Sequence, residues 1–278
     1  MADAKRAGKK GERIVRYTDE RNDEFSAAKI EPRRIDGGYR YIRSSPLGRF
    51  ARFFWYKIVF FPFAFLYAKI AFGLRIENKE ILRPYRDRGY FLFGNHTQPL
   101  GDALFPPLMT SPQDNFVIVH PANVSIPLLG RITPALGALP LPDDIAAYRN
   151  FRAAVARRIG EGHPVVIYPE AHIWPYYTGI RPFPSDSFTY AVSLGAPVFC
   201  FTNTYQKRGK RKRPRIVTYL DGPFFPDPAL DPRAARAALC EQVYETMKQR
   251  AALSTVAYIR YLKKEKPEHE QNPDPLLR

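Results

Sequence analysis

Cysteine is nearly missing from this chain: Cys200 and Cys240 are the only two in 278 residues. That excludes a disulfide framework and leaves no cysteine spacing suited to a metal. Cys200 sits in the apolar run Pro-Val-Phe-Cys-Phe and reads as a small core residue. Also absent are a nucleophile elbow, a cluster of metal-ligating side chains and a glycine-rich phosphate loop, the usual equipment of serine hydrolases, metallohydrolases and nucleotide-binding enzymes. No apolar run is long enough to cross a bilayer without interruption. In the most apolar segment, 53–74, the longest uncharged run, 58–68, has 11 residues, whereas a span needs about 20. Acidic residues are scarce beside basic ones, 27 against 43, for a formal net charge of +16.

What is present narrows the reading. At 45% hydrophobic and 14% aromatic residues, the chain has the material for a sizeable core and is not disordered as a whole. The positive excess calls for an anionic partner: a phosphate-bearing substrate, an anionic membrane surface or nucleic acid. Seven of the nine residues 207–215 are basic, either a solvated hairpin loop or a patch facing phospholipid. No nucleic-acid motif with interleaved stacking aromatics accompanies them, so nucleic acid ranks third of the three.

Residues 1–38 are polar and charged, without an apolar period or a signal-peptide core, and read as a flexible basic arm. The chain then turns apolar and aromatic. Within the segment 39–80 the stretch 53–74 suits a membrane-associating helix, interfacial and broken at Pro62, with Lys57 and Lys69 flanking its uncharged centre. Trp55, Tyr56 and Tyr67 lie near its ends, as interface-anchoring rings do.

Past Arg83, apolar runs at 90–93, 116–119, 164–168, 197–201 and 215–220 alternate with helical patterns. Asp143 or Asp144 can cap a helix bearing a Tyr148, Phe151, Val155 and Ile159 stripe. Asp231-Pro232 opens another, with Leu239, Val243 and Met247 four residues apart. Such alternation predicts an α/β domain over 81–263, a mixed, mainly parallel sheet flanked by helices. The stretch 264–278 reads as a disordered tail.

The chemistry concentrates at two strand ends. The run Tyr90 to Phe93 stops at Gly94, and Asn95-His96 follows with Asp102 six residues past the histidine. Carboxyl ends of strands are where α/β sheets keep their ligand crevices. A histidine oriented by a carboxylate can take a proton from a hydroxyl. The second block is Tyr168-Pro169-Glu170-Ala171-His172, a strand end carrying a carboxylate and another histidine, with Arg181 beyond.

Two such blocks in this order and spacing resemble the glycerolipid (1-acylglycerol-3-phosphate acyltransferase-like) acyltransferase family. Asn95-His96 with Asp102 resembles its first block, 168–172 its third, and Ala196-Pro197-Val198 its fourth; 126–144 takes the place of the second. The likeness runs from about 81 to 263. Three departures stand out. Five residues separate His96 from Asp102 where the family has four, Asp143 lies near the position of a phosphate-holding arginine, and the third block lacks its Gly-Thr-Arg.

The resemblance implies a glycerol-3-phosphate-acyltransferase-like fold and acyl transfer from a thioester to a lysophospholipid-like hydroxyl, with no metal or other cofactor. It implies His96 as general base, Asp102 as its orienting carboxylate and backbone N–H groups beside His96 for the oxyanion. It also implies Asn95, Glu170, His172, Arg131, Arg149 and Arg181 as substrate-binding, with Arg152 a further candidate for a phosphate. The partners would be a lipid acceptor, acyl-CoA or acyl-ACP as co-substrate, and the anionic cytoplasmic face of a membrane. A catalytically silent or hydrolytic member of the same scaffold is the alternative. Contact between His96 and Asp102 separates the enzyme from the silent scaffold. Nothing in the sequence sets an oligomeric state.

Overall fold

The structure, a computed structural model, describes residues 13–25, 30–43 and 45–264. Its frame is a seven-stranded sheet. In chain order, β1 (Arg13–Tyr17) lies outside it, then come β2 (Arg75–Glu77), β3 (Phe91–Gly94), β4 (Phe116–Val119), β5 (Ala138–Pro140), β6 (Val165–Ile167), β7 (Val198–Gln206) and β8 (Arg215–Phe224). The spatial order is β2-β8-β7-β3-β6-β4-β5. Every neighbouring pair is parallel except β7 with β8. The mixed, mainly parallel α/β sheet expected from the sequence is therefore present.

β3 occupies the centre, between β6 and β7, and all four of its residues are buried. Its side chains alternate between two cores, as a period of two requires. Phe91 and Phe93 join Val165, Ile167, Val198 and Cys200 on one face; Leu92, Val166, Phe199 and Phe201 line the other. The first face is covered by α3 (Ile145–Gly160) through Phe151 and Val155, and by α5 (Pro232–Ala251) through Leu239, Val243 and Met247. The second is covered by α2 (Gly101–Thr110) and by α1 (Pro46–Phe72). A short α4 (Thr189–Leu194) precedes β7. Both predicted caps form: Asp144 accepts from the Ala147 N–H at 2.7 Å, and Asp231 accepts from Arg233 and Ala234 ahead of Pro232.

α1 differs from its expectation. It runs unbroken for 27 residues, through Pro62, and by length and composition alone it is long enough to cross a membrane. Wide i→i+5 turns over Phe53–Phe60 and Ala68–Phe72 explain its course. Tyr56 and Ala64, eight residues apart, would lie about 80° apart on a regular α-helix. The wide turns advance less per residue, and Tyr56, Ala64, Ala68 and Phe72 all face the domain. Pro62 falls in the first α-helical turn after the wide stretch, and the helix continues through it. Lys57 does not reach outward: its ammonium meets Asp114 at 2.6 Å, where Arg52 also pairs at 3.3 Å. The opposite face leaves Phe50, Phe54, Ile58, Leu66 and Ile70 exposed, Ile70 at 69%.

The expected arm over 1–38 also needs correction where it is described. β1 pairs in parallel with β9 (Ile259–Lys263), and residues 30–43 lie along the domain. Apolar groups hold the first piece, since Phe25 and Tyr17 pack against the buried Trp174. The remainder of the expected arm, 1–12 and 26–29, and the expected tail beyond Lys264 lie outside the described residues.

Candidate active site

Four parallel strands, β3, β6, β4 and β5, end on one edge of the sheet. His96 follows β3 and Glu170 follows β6, so two neighbouring strands deliver the two motifs side by side.

The five-residue spacer is absorbed by a turn. The Asp102 N–H donates to the Gln98 carbonyl at 3.0 Å, and the Asp102 carboxylate folds back to accept from the Gln98 N–H at 2.9 Å. Gly101 makes the turn possible. A Cβ there would stand 2.5 Å from the Phe105 ring and 2.8 Å from the Gln98 Cβ. Asp102 then occupies the first turn of α2, where the helix dipole favours a negative charge. Its Oδ2 lies 2.7 Å from His96 Nδ1. A carboxylate only accepts, so Nδ1 carries the proton and Nε2 presents its lone pair. The imidazole is 24% exposed and Nε2 has no partner among the described residues. Burial raises the Asp102 pKa; the His96 contact and the Gln98 and Thr97 N–H groups oppose it. The contact expected of an enzyme and not of a silent scaffold is therefore present.

Tyr168 supports the pair from above. Its ring stacks on the imidazole at 4.7 Å, and its hydroxyl donates to the Asp102 carbonyl at 2.5 Å. Burial beside Asp102 pushes its pKa far up, so the hydroxyl keeps the proton it donates. Sequence reading passed over Tyr168 as the aromatic opening of its block.

Several expected substrate contacts are structural instead. Asn95 is buried and clasps β7: its amide donates to the Asn203 carbonyl at 3.1 Å, and its Oδ1 accepts from the Asn203 N–H at 2.8 Å. Glu170 and Arg181 have no exposed side-chain surface. Glu170 accepts from the His96 N–H at 3.0 Å and the Arg181 N–H at 2.9 Å, and pairs with the Arg181 guanidinium at 3.4 Å. Burial raises the Glu170 pKa and lowers that of Arg181, each opposed by the other's charge. Arg181 also donates to the His172 carbonyl and stacks over Trp174 at 5.0 Å. The pair braces the loop behind His96 and presents nothing to an acceptor. Local aromatic and charge cues could not reveal this, because burial is set by the layers that close over the loop.

The backbone N–H groups beside His96 are likewise committed, His96 to Glu170 and Gln98 to Asp102, and are not free for an oxyanion. His172 is partly exposed and pairs with Glu24 at 3.2 Å. Arg149 and Arg152 line a shallow groove between α3 and α4, away from the pair. Arg131 lines a separate recess on the loop after β4, beside Arg33 and Arg43. Asp143, which stands near the family's arginine position, is engaged with the backbone: it accepts from the Ile35 N–H at 2.6 Å. Among the described residues no group of three or more His, Cys, Asp or Glu side chains could hold a metal ion.

The Acyltransferase family model matches residues 73–202, from the end of α1 into β7. No curated protein matches the sequence. Among solved structures, the 1-acyl-sn-glycerophosphate (LPA) acyltransferase PlsC from Thermotoga maritima is similar at a TM-score of 0.49 and 16% identity, over 76% of this chain and 97% of that one. The stretch that matches the Acyltransferase family model, 73–202, holds His96, Asp102, Tyr168 and Glu170.

Proposed function

We propose that the protein is an O-acyltransferase of phospholipid biosynthesis. It moves a fatty acyl group from acyl-CoA or acyl-ACP to a hydroxyl of a lysophospholipid-like acceptor, with 1-acylglycerol-3-phosphate favoured. The observation that carries this reading is the 2.7 Å contact of His96 Nδ1 with Asp102, which leaves Nε2 as a base within an acyltransferase-family domain.

His96 Nε2 takes the proton of the acceptor hydroxyl as its oxygen attacks the thioester carbonyl. Asp102 holds the tautomer and stabilises the imidazolium as it forms. The tetrahedral intermediate collapses, the C–S bond breaks, and the imidazolium returns its proton to the leaving thiolate. One C–O bond replaces one C–S bond, without an acyl-enzyme. The exposed apolar face of α1 and the basic residues 207–215 suit attachment to an anionic cytoplasmic leaflet, from which an acyl chain can enter.

The test is a purified-enzyme assay offering lysophosphatidic acid, monoacylglycerol and a neutral glycolipid with an acyl-CoA or an acyl-ACP. Transfer to lysophosphatidic acid in preference to the neutral acceptors is expected. Preference for a neutral acceptor refutes the anionic part and leaves acyl transfer standing; no transfer to any acceptor refutes the function.

A further inference from the structure

We infer that Arg33, Arg43 and Arg131 form a binding site for a phosphate monoester carried by a substrate of the reaction. The inference rests on the acyl-transfer reading for the identity of that substrate, not for the existence of the site. The three arginines line one open recess of about 750 Å³, with Ser125 and the loop through Gly130 as its floor. Glu31 also lines it, so three guanidiniums face one carboxylate. None of these four groups makes an ion pair among the described residues.

The recess is assembled from distant parts of the chain by specific bonds. The Arg33 N–H donates to Ser125 Oγ at 2.9 Å. Two residues on, Ile35 exchanges backbone bonds with Asp143, donating to its carboxylate at 2.6 Å and accepting from its N–H at 3.0 Å. The Tyr41 hydroxyl donates to the Pro140 carbonyl at 3.0 Å, and the Asn150 amide to the Gly37 carbonyl at 3.0 Å. These contacts lay residues 33–43 across the ends of β4 and β5 and bring two arginines to a third about 90 residues away. Without the segment, Arg131 would be the recess's one arginine.

The position suits a substrate that also reaches His96. The recess follows β4, on the same carboxyl edge as His96, with β6 between β3 and β4. Two strand spacings, roughly 10 Å, separate the ends of β3 and β4, and the recess lies on the loop beyond β4. Arg33 lies over the Tyr39 ring at 5.1 Å, and three guanidiniums lining one recess without a carboxylate partner suit the three acceptor oxygens of a doubly ionised phosphate, which each can meet with paired N–H groups. Two reactants offer that chemistry: a lysophosphatidic-acid acceptor, and the 3′-phosphate of a coenzyme A thioester.

Binding measured by calorimetry on the full chain tests this with two matched pairs. One is coenzyme A against 3′-dephospho-coenzyme A; the other is lysophosphatidic acid, below its micelle concentration, against monoacylglycerol. The wild-type protein should prefer the phosphate-bearing member of one pair by at least about tenfold, the scale of a charge-assisted hydrogen bond. Which pair shows it identifies the substrate. The triple variant R33Q/R43Q/R131Q should lose that preference, and the single variants R43Q and R131Q should each lose part of it, all three sites being exposed. The charge-matched control R83Q/R86Q/R88Q, also at exposed positions, should retain it. A preference unchanged in the arginine variants, lost equally in the control, or absent from wild type in both pairs overturns the site. If arginine-dependent binding persists while wild type transfers no acyl group, the acyl-transfer reading falls and the phosphate site stands.

Discussion

The Tyr168 hydroxyl donates to the Asp102 carbonyl at 2.5 Å while the same ring stacks on His96 at 4.7 Å. One side chain thus holds both members of the pair, gripping the backbone of one and the plane of the other. The longer spacer between His96 and Asp102 leaves more chain to be ordered there, and Tyr168 supplies a restraint from a different strand. Tyr168→Phe keeps the ring and removes the grip. It should lower kcat about three- to tenfold, the worth of one hydrogen bond, with little change in KM. A rate equal to wild type would show that the turn at 98–102 suffices alone.

His96→Ala should reduce acyl transfer by at least about 10²-fold in a protein of unaltered fold. Unchanged turnover in a folded variant would end the assignment of His96 as base.

Asp102→Asn should cost less activity than loss of the histidine, and should not cost stability at neutral pH. Burial raises the Asp102 pKa. A raised folded pKa means that the folded chain holds this proton more tightly than the unfolded one, so the ionised form weakens folding above that pKa. The weakening disappears as pH falls through it. Asparagine carries no charge at any pH, so its thermal midpoint should equal or exceed wild type at pH 7 and the gap should close toward acid. Thermal melts across pH read this directly; a clear loss at pH 7 contradicts it.

Glu170→Ala should act on folding before it acts on substrate binding. It strands the buried Arg181 guanidinium and frees the His96 N–H, a loss of about 3 kcal/mol or more for a broken buried pair. Urea unfolding measures it. A variant of wild-type stability with a raised acceptor KM would instead restore Glu170 to the acceptor site.

Replacing Phe50, Phe54, Ile58 and Leu66 with serine should release the protein from anionic liposomes in flotation, because these side chains form the exposed face of α1. High salt should weaken attachment only in part, since it screens the basic surface and leaves the apolar contact. Alkaline carbonate should extract the wild type, whose α1 is tied to the domain through Tyr56 and Asn115 at 2.7 Å and through Lys57 and Asp114. Retention in the pellet would show a spanning helix.

Much of the scaffold was legible in the chain because its signals are local. The apolar run Phe116–Val119 is a strand over the same residues, and Asp231-Pro232 begins a helix, since periodicity and capping act within a turn or two. The His96–Asp102 pair was legible for the same reason, both residues lying on one strand-end turn. What the tertiary structure alone decided depends on contacts between distant residues. Glu170 and Arg181 look like binding residues in the sequence and become a buried brace once Trp174 and the segment at 13–25 close over them. Residues 30–38 carry no apolar period, yet Ser125, Asp143 and Asn150 supply their hydrogen bonds and turn an apparent arm into one wall of a recess. Tyr168 meets Asp102 across 66 residues. Local propensity has no term for such meetings: they exist only because the parallel sheet sets the ends of β3, β6, β4 and β5 along one edge, where side chains from separate parts of the chain come within bonding distance.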